Sequence, residues 1–145
     1  MHQFKFNSNR LAGLDISDIL KYEIQNYLNA NSYDDLIIAP LSRESLRKRG
    51  FNQVEYILEK CKIDFKNILI REKHSKHQSE LTAEERKDWI KGQFKIGKES
   101  IELIKGKSLL LIDDIFTTGN TANEISTVLM NNGASLVDIL TFFKD

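Results

Sequence analysis

Apolar residues along the chain fall into runs that alternate between helical and extended spacing. Between residues 15 and 29 they recur near helical spacing, which predicts an amphipathic helix that Asp15 can cap. Apolar runs at 36–39 and 68–70 predict two short strands. Asn52 can cap a further helix between these strands. That helix carries its apolar residues on one face: Val54, Ile57, Leu58 and Cys61.

The second half of the chain has the clearest pattern. An uninterrupted apolar run at 109–112 predicts a strand, and a polar turn follows it. A helix from about 121 to 131, which Gly133 stops, and a strand over 136–142 complete a βαβ unit. A continuous apolar strand is typical of a sheet buried on both faces, so the sequence predicts an α/β fold with a central, mostly parallel sheet flanked by helices.

Residues 72–92 are polar and charged, which predicts an excursion from this core. Within them, Thr82 and Glu85 can form a capping box ahead of a short helix that contains Trp89. The chain has 145 residues, which is an ordinary length for one domain with one buried core.

Charge and cysteine content narrow the classes of function. The 21 basic residues balance 21 acidic ones, which excludes a polycation that coats nucleic acid or membrane. No apolar run is long enough to span a bilayer, and the first five residues lack the order of a signal peptide, so we expect a cytoplasmic protein without membrane insertion. Cys61 is the single cysteine, which precludes an intrachain disulfide, disfavours a cysteine-based zinc site and fits a buried apolar role.

Ligands of parallel α/β sheets bind at the carboxyl ends of strands, which points to residues 113–121. Asp113 and Asp114 can accept hydrogen bonds from vicinal hydroxyls or hold Mg²⁺ through water. The following turn offers threonine hydroxyls, a glycine that can adopt positive φ, and the amides of a helix start, all of which suit a phosphate. The pattern predicts a sugar-phosphate site. The alternative is an acidic strand end followed by a helix cap.

The stretch LLLIDDIFTTGNT at 109–121 resembles the phosphoribosyl pyrophosphate (PRPP) signature of type I phosphoribosyltransferases. It lacks the lysine of a Walker loop, which excludes that class of nucleotide triphosphatase. Upstream, PLSRESLRKRGFNQ at 40–53 is similar to a stretch of the ComF family, which comprises competence-associated phosphoribosyltransferase-like proteins. The positions that resemble a later segment of the same family are Gln78, Leu81, Arg86 and KGQF at 91–94.

The resemblance implies a role for each matching position. Asp113 and Asp114 would bind the ribose hydroxyls and Mg²⁺, the latter through water. The expected 5-phosphate site comprises Thr117, Thr118, Gly119, Asn120 and Thr121. The expected pyrophosphate loop follows Pro40 and comprises Leu41, Ser42 and Arg43. A flap at about 73–94, with Gln78 and Arg86, would close over the substrate and exclude water.

Two departures from the family patterns change these expectations. Thr117 stands where purine-base phosphoribosyltransferases carry an aspartate, which disfavours purine salvage. ComF-like proteins often carry a four-cysteine zinc module before the transferase domain, whereas this chain starts at Met1 without one. We therefore expect no structural zinc, and a single domain over 1–145 that is either a short family member or an excised domain.

Two functions from different classes remain open. The first is a magnesium-dependent enzyme that transfers ribose 5-phosphate from PRPP to an unidentified acceptor and releases pyrophosphate. The second is a PRPP-binding or nucleotide-binding accessory protein of DNA uptake that contacts single-stranded DNA or a competence helicase. A local basic cluster could neutralise the departing pyrophosphate in the first function or contact DNA in the second. It is equally well explained as a solvated helical face. The cluster comprises Arg43, Arg47, Lys48 and Arg49. Type I relatives often pair, so a homodimer is a further expectation, although no apolar stripe identifies an interface.

Overall fold

The computed structural model describes residues 16–42, 46–47, 50–72, 91–116 and 119–144. Its helices and strands follow the alternation of the sequence pattern closely. They are α1 (Ile16–Ala30), β1 (Asp35–Ile38), α2 (Gln53–Cys61), β2 (Leu69–Arg71), β3 (Phe94–Ile96), a 3₁₀ turn (Lys98–Ser100), β4 (Ser108–Phe116), α3 (Asn120–Asn131) and β5 (Leu136–Lys144).

Strand β4 lies at the centre of a parallel sheet with the order β1-β4-β5. The register pairs Ile38 with Ile112 on one side, and Asp113 with Thr141 on the other. Strands β4 and β5 are parallel because α3 carries the chain back between them, as a βαβ crossover requires. This confirms the predicted α/β fold and its βαβ unit.

The sheet is buried on both faces, which is why the 109–112 run is apolar without interruption. Successive side chains of a strand point to opposite faces. Leu109 and Leu111 pack into a cluster with α3, β2 and β3, whereas Leu110 and Ile112 pack into a second cluster with α1 and α2. All four are fully buried. The helices α1 and α2 therefore cover one face of the sheet, and α3 covers the other.

Capping residues set the helix ends as the sequence predicts. The Asn52 side-chain oxygen accepts a hydrogen bond from the Val54 amide at 3.0 Å and caps α2. Gly133, at φ 103°, follows the C-terminal cap of α3 and allows the chain to turn back. Cys61 is 1% exposed at the end of α2, in accord with its expected apolar role. Asp15, Thr82, Glu85 and Trp89 lie outside the described residues.

One expectation about the strands is wrong, and one strand was not predicted. A polar turn does not begin at Asp113, because β4 continues to Phe116 while β5 remains beside it, with Ile115 opposite Phe143. Strand β3 was not expected, since its three residues lie at the end of a polar segment. It pairs antiparallel with β2 in a separate two-stranded sheet, where Phe94 is buried.

The amino edge of the sheet is held by ion pairs. Asp35 receives hydrogen bonds from Lys66 at 2.8 Å and from Lys107 at 2.7 Å, which ties β1 to the segments before β2 and β4. Burial raises the pKa of the Asp35 carboxyl, but the two lysines outweigh it and leave the pKa below its ordinary value. Within the described residues, no helix is long and apolar enough to cross a membrane.

Candidate functional site

The carboxyl edge of the sheet brings two of the predicted segments together. Because Ile38 is paired with Ile112, the chain leaves β1 directly beside the point where β4 reaches Asp113. The Ala39 amide donates to the Ile112 carbonyl at 2.9 Å and fixes this position. The expected pyrophosphate loop, including Leu41 and Ser42, therefore starts next to the expected ribose site.

Asp113 is a mostly buried carboxylic acid. Its pKa is raised to about 6, chiefly by burial. The hydrogen bond from the Asp114 amide at 2.9 Å lowers the pKa, and the Asp114 carboxylate raises it. The Arg71 guanidinium also lowers it. Two acids held together in a partly desolvated edge form a site that is ready to accept hydrogen bonds or a cation.

Arg71 is a residue at this edge that sequence reasoning missed. Lys66 forms a parallel bridge with Ile37, so the chain runs beside β1 towards the carboxyl edge and delivers Arg71 there at the end of β2. Its Nε donates to Gln93 Oε1 at 3.1 Å, and its guanidinium carbon lies 5.3 Å from the centre of the Phe94 ring. The feature of the sequence that could have identified Arg71 is its position directly after the apolar run at 68–70.

The start of α3 has two backbone features that the sequence predicts at this position, a glycine of positive φ and the first turn of a helix. Gly119, at φ 74°, is the N-cap, and its carbonyl accepts from the Asn123 amide at 2.9 Å. A glycine cap offers no side-chain oxygen to the first amides of the helix, which include those of Asn120 and Thr121. Such amides and the helix dipole favour an anion. Thr117 and Thr118 lie outside the described residues.

The predicted basic segment is described in part. The Ser42 carbonyl accepts from the Leu46 amide at 2.9 Å, and the exposed Leu46 and Arg47 are helical. Asn52 links the end of this segment to its start, because its Nδ2 donates to the Ala39 carbonyl at 3.4 Å. The side-chain oxygen of the same residue caps α2. The remaining predicted residues lie outside the described part of the chain: Arg43, Lys48, Arg49, Gln78 and Arg86.

The base of the expected flap is the antiparallel pair of β2 and β3. The Glu72 amide donates to the Gln93 carbonyl at 2.7 Å, so the chain leaves β2 and returns to β3 at adjacent positions. The Gly92 amide donates to Glu124 on α3 at 2.7 Å. Gln93 and Phe94, which the resemblance assigns to the end of the flap, are buried in the core.

Acidic oxygen donors at the site are suited to Mg²⁺, which keeps several waters and binds one or two carboxylates together with substrate phosphates. Asp113 and Asp114 fit that pattern. In the described ranges, no cluster of three or more His, Cys, Asp or Glu side chains could hold a metal ion without substrate.

Comparison with known proteins identifies the class to which this chain belongs. Residues 7–145 match the phosphoribosyl transferase domain family, and the chain belongs to that family. The chain is 32% identical over 144 residues to competence protein ComFC of Streptococcus pneumoniae, covering 97% of this chain and 59% of that protein. It is 28% identical over 149 residues to the DNA utilization protein YhgH of Escherichia coli strain CFT073, covering 96% and 63% respectively. These matches confirm the resemblance to the ComF family.

The chain thus spans about three fifths of the length of these curated relatives. Among solved structures, a hypoxanthine phosphoribosyltransferase from Staphylococcus aureus superimposes with a TM-score of 0.53 at 15% identity. The superposition covers 97% of this chain and 73% of that one. At this identity the likeness concerns the fold alone, which is the type I phosphoribosyltransferase fold predicted from the sequence.

Proposed function

We propose that this chain binds PRPP and transfers its ribose 5-phosphate to an acceptor with release of pyrophosphate. The observation that carries the proposal is the arrangement at the carboxyl edge of β4. Two adjacent carboxylates there precede a helix that begins at a glycine of positive φ, beside the loop that leaves β1. In this proposal, the ribose hydroxyls, the 5-phosphate and the pyrophosphate of PRPP all bind at this edge.

Each part of PRPP is assigned to its own group of residues. Asp113 and Asp114 accept hydrogen bonds from the ribose hydroxyls. The 5-phosphate lies at the start of α3, on the turn Thr117, Thr118, Gly119, Asn120 and Thr121. The pyrophosphate lies on the loop of Leu41, Ser42 and Arg43. Arg71 adds a positive charge at the same edge, where it offsets part of the negative charge of the acids through its interaction with Asp113.

The transfer step changes two bonds at the anomeric carbon. The bond from that carbon to the pyrophosphate oxygen breaks, and the pyrophosphate leaves with the electron pair. A lone pair of the acceptor forms the new bond from the opposite side, and the proton of the acceptor passes to water. The protein contributes position and charge to this step. Mg²⁺ held by Asp113 and Asp114, mostly through water, would neutralise part of the negative charge of the pyrophosphate.

The flap at 73–94 is assigned to closure over PRPP, with Gln78 and Arg86 as its candidate substrate contacts. The hydrogen bond between the Glu72 amide and the Gln93 carbonyl holds the two ends together. Closure is therefore assigned to the residues between them and leaves β2 and β3, with the buried Phe94, in place. Ligand protection tests this role. Limited proteolysis should cut between Lys73 and Lys91 in the free protein and should slow when PRPP and Mg²⁺ are added. Unchanged cutting on a protein that binds PRPP contradicts closure.

Calorimetric titration tests the central proposal. The protein should bind PRPP with Mg²⁺, and the double variant Asp113→Asn with Asp114→Asn should lose that binding while its circular dichroism spectrum is retained. Asp64→Asn removes an exposed carboxylate beyond α2 and is the matched control. It should bind PRPP as the unaltered chain does. Retained binding in the double variant refutes the assignment of the two acids.

The names of the relatives, a competence protein and a DNA utilization protein, favour a role linked to DNA uptake. They also support the second candidate, an accessory protein that binds PRPP or single-stranded DNA without transfer. A pyrophosphate-release assay separates the two, with ammonia, glutamine, nucleobases and single-stranded DNA as acceptors. Release that depends on an acceptor supports the enzyme. PRPP binding without release supports the accessory protein.

Salt dependence tests the DNA arm of the second candidate. With a net charge of zero, the chain makes few phosphate contacts, so its affinity for single-stranded DNA should be weak and should disappear with modest salt. Affinity that persists at high salt would contradict this expectation.

A further inference from the structure

Arg71 is a partly buried cation whose charge is only partly compensated. Its Nε donates to Gln93 Oε1 at 3.1 Å, and its guanidinium carbon lies 5.3 Å from the centre of the Phe94 ring. In the part of the chain that the structure describes, the guanidinium forms no hydrogen bond to a carboxylate. Its pKa lies below the ordinary value, because burial outweighs the nearby charge of Asp113. A desolvated cation of this kind favours an anionic ligand.

Gln93, the neutral partner of this cation, is itself held firmly. It is 1% exposed, and its carbonyl accepts a hydrogen bond from the Glu72 amide at 2.7 Å. The amide of the preceding residue, Gly92, donates to Glu124 on α3 at 2.7 Å. The start of β3 is thus fixed from the side of β2 and from the side of α3. Its side-chain oxygen therefore receives the Arg71 Nε from a backbone that is itself anchored.

Arg71 reaches the carboxyl edge on the side of the expected pyrophosphate loop. One side of β1 pairs with β4, so the bridge between Ile37 and Lys66 lies on the other side. The chain continues from Lys66 into β2, which ends at Arg71, whereas β5 lies beyond β4. The loop that leaves β1 through Leu41 starts on the same side as Arg71. Of the three parts of PRPP, the pyrophosphate is the one assigned to this side.

A guanidinium carries five N–H donors in a planar fork. When Gln93 holds Nε, the two terminal nitrogens lie on the far edge of the fork, where they suit two phosphate oxygens. We infer that Gln93 is a positioning residue for the pyrophosphate of PRPP. It fixes the orientation of Arg71 and, as a neutral amide, leaves the positive charge of Arg71 to the ligand. The inference rests on the proposed function, because it needs PRPP to bind at this edge.

PRPP and ribose 5-phosphate provide the test, because they differ only by the pyrophosphate. Calorimetry on the full chain with Mg²⁺ measures both affinities. Gln93→Met keeps the length of the side chain and removes the oxygen that holds Arg71. It should weaken PRPP binding about tenfold, as the loss of a hydrogen bond to a charged group does. Ribose 5-phosphate binding should be unchanged.

Gln93→Glu separates positioning from simple stabilisation of a buried arginine. The carboxylate still accepts from the Arg71 Nε, but it competes with the pyrophosphate for the positive charge. This variant should therefore also weaken PRPP binding about tenfold and leave ribose 5-phosphate binding unchanged. If Gln93→Glu binds PRPP as the unaltered chain does, the inference is overturned, because the neutrality of Gln93 would then have no role.

A double-mutant cycle shows whether Gln93 acts through Arg71. Arg71→Met should weaken PRPP binding at least as much as Gln93→Met does. Adding Gln93→Met to Arg71→Met should cause no further loss, because a positioning residue has no effect once the residue that it positions is gone. A second, equal loss in the double variant would show that Gln93 acts by another route and would overturn the inference.

A matched exchange elsewhere controls for the substitution itself. Gln25→Met makes the same replacement at an exposed position of α1 and should change neither affinity. Thermal unfolding of each variant establishes that it is folded.

The outcomes separate the inference from the proposed function. If the unaltered chain binds neither PRPP nor ribose 5-phosphate, the proposed site itself is refuted. If the unaltered chain binds both and a folded Gln93→Met loses neither ligand, only the positioning role of Gln93 is refuted. Equal loss of both ligands in that variant also refutes it, because the effect would not be specific to the pyrophosphate.

Discussion

Asp113 shows at the scale of one residue how the site is built at the expense of stability. A carboxyl whose pKa rises to about 6 in the folded protein is harder to ionise there than in the unfolded chain. Between the ordinary pKa of the unfolded chain and the raised pKa of the folded protein, the folded state therefore binds the proton more tightly. Relative to the ionised carboxyl, the protonated Asp113 favours folding; this contribution is present at low pH and is lost as the pH rises to about 6.

Replacement of Asp113 by asparagine should remove this penalty. We expect Asp113→Asn to raise the free energy of unfolding near pH 8 by about 2 kcal/mol. The reason is that the asparagine amide, unlike the carboxylate, carries no charge that folding removes from water. The gain should vanish below about pH 4, where the native carboxyl is protonated. Urea unfolding across this pH range measures the difference. A constant difference at every pH would show that titration of Asp113 is not its source.

Asn52 carries two hydrogen bonds that substitution can separate. Asn52→Ala removes both the α2 cap and the contact with the Ala39 carbonyl, and should lower the free energy of unfolding by about 1 kcal/mol. Asn52→Ser keeps a capping oxygen, but its side chain is too short to reach Ala39. Both variants should weaken PRPP binding by roughly two- to tenfold and leave ribose 5-phosphate binding unchanged. The reason is that the hydrogen bond from Asn52 to the Ala39 carbonyl holds the base of the pyrophosphate loop.

Calorimetry with the two ligands, together with urea unfolding, measures these effects. Equal loss of both ligands in Asn52→Ser would contradict a specific role for the pyrophosphate loop.

At the scale of an element, the start of α3 joins a backbone requirement to a ligand requirement. Gly119 must adopt φ 74°, a conformation that costs any residue with a Cβ about 1 kcal/mol. The same glycine leaves the first amides of the helix without a capping side chain. A residue chosen for helix stability alone would be serine or aspartate, so the glycine fits a helix start whose amides bind a ligand.

Two glycine substitutions test this element. Gly119→Ala and Gly106→Ala should each lower the free energy of unfolding by about 1 kcal/mol, because both positions have positive φ. An added Cβ at Gly106 meets nothing within 4 Å, and the position lies in the turn before β4. Only Gly119→Ala should also weaken ribose 5-phosphate binding, by calorimetry. Equal binding by the two variants would place the phosphate elsewhere.

At the scale of the whole molecule, the two edges of the sheet have different tasks. The amino edge carries the Asp35 ion pairs with Lys66 and Lys107, whereas the carboxyl edge carries the proposed site. The amino-edge contacts hold three segments together without touching any residue assigned to PRPP.

Asp35→Asn should therefore lower stability and leave PRPP binding unchanged. The Asp35 pKa lies below its ordinary value, so its contribution is present above the unfolded pKa of about 4 and is lost as the pH falls through the folded pKa. At neutral pH we expect a loss of about 1 kcal/mol, since the lysines are partly exposed and solvent screens them. The difference should shrink in acid. Urea unfolding and PRPP calorimetry measure both, and weakened PRPP binding in a folded variant would show that the edges are coupled.

The elements whose patterns are local were predictable from the sequence. The 109–112 run gave a buried strand because only apolar side chains fit between two covered faces, and Asn52 and Gly133 marked helix ends through their own hydrogen bonds and φ. The motif at 109–121 gave the class of protein. Strand β3 escaped this reasoning, because three residues at the end of a polar segment carry no period of their own.

By itself, the sequence determined the fold class, the family and the positions that resemble its motifs, because these depend on residue type and spacing along the chain. The tertiary structure decided the rest. Only strand pairing carries β4 past Asp113 to Phe116, and only the bridge between Ile37 and Lys66 brings Arg71 to the acids. Likewise Phe51, Tyr56 and Phe142 form a cavity beside Asp114 only when α2 packs on the sheet. Contacts between residues far apart in sequence leave no mark in any single stretch of it.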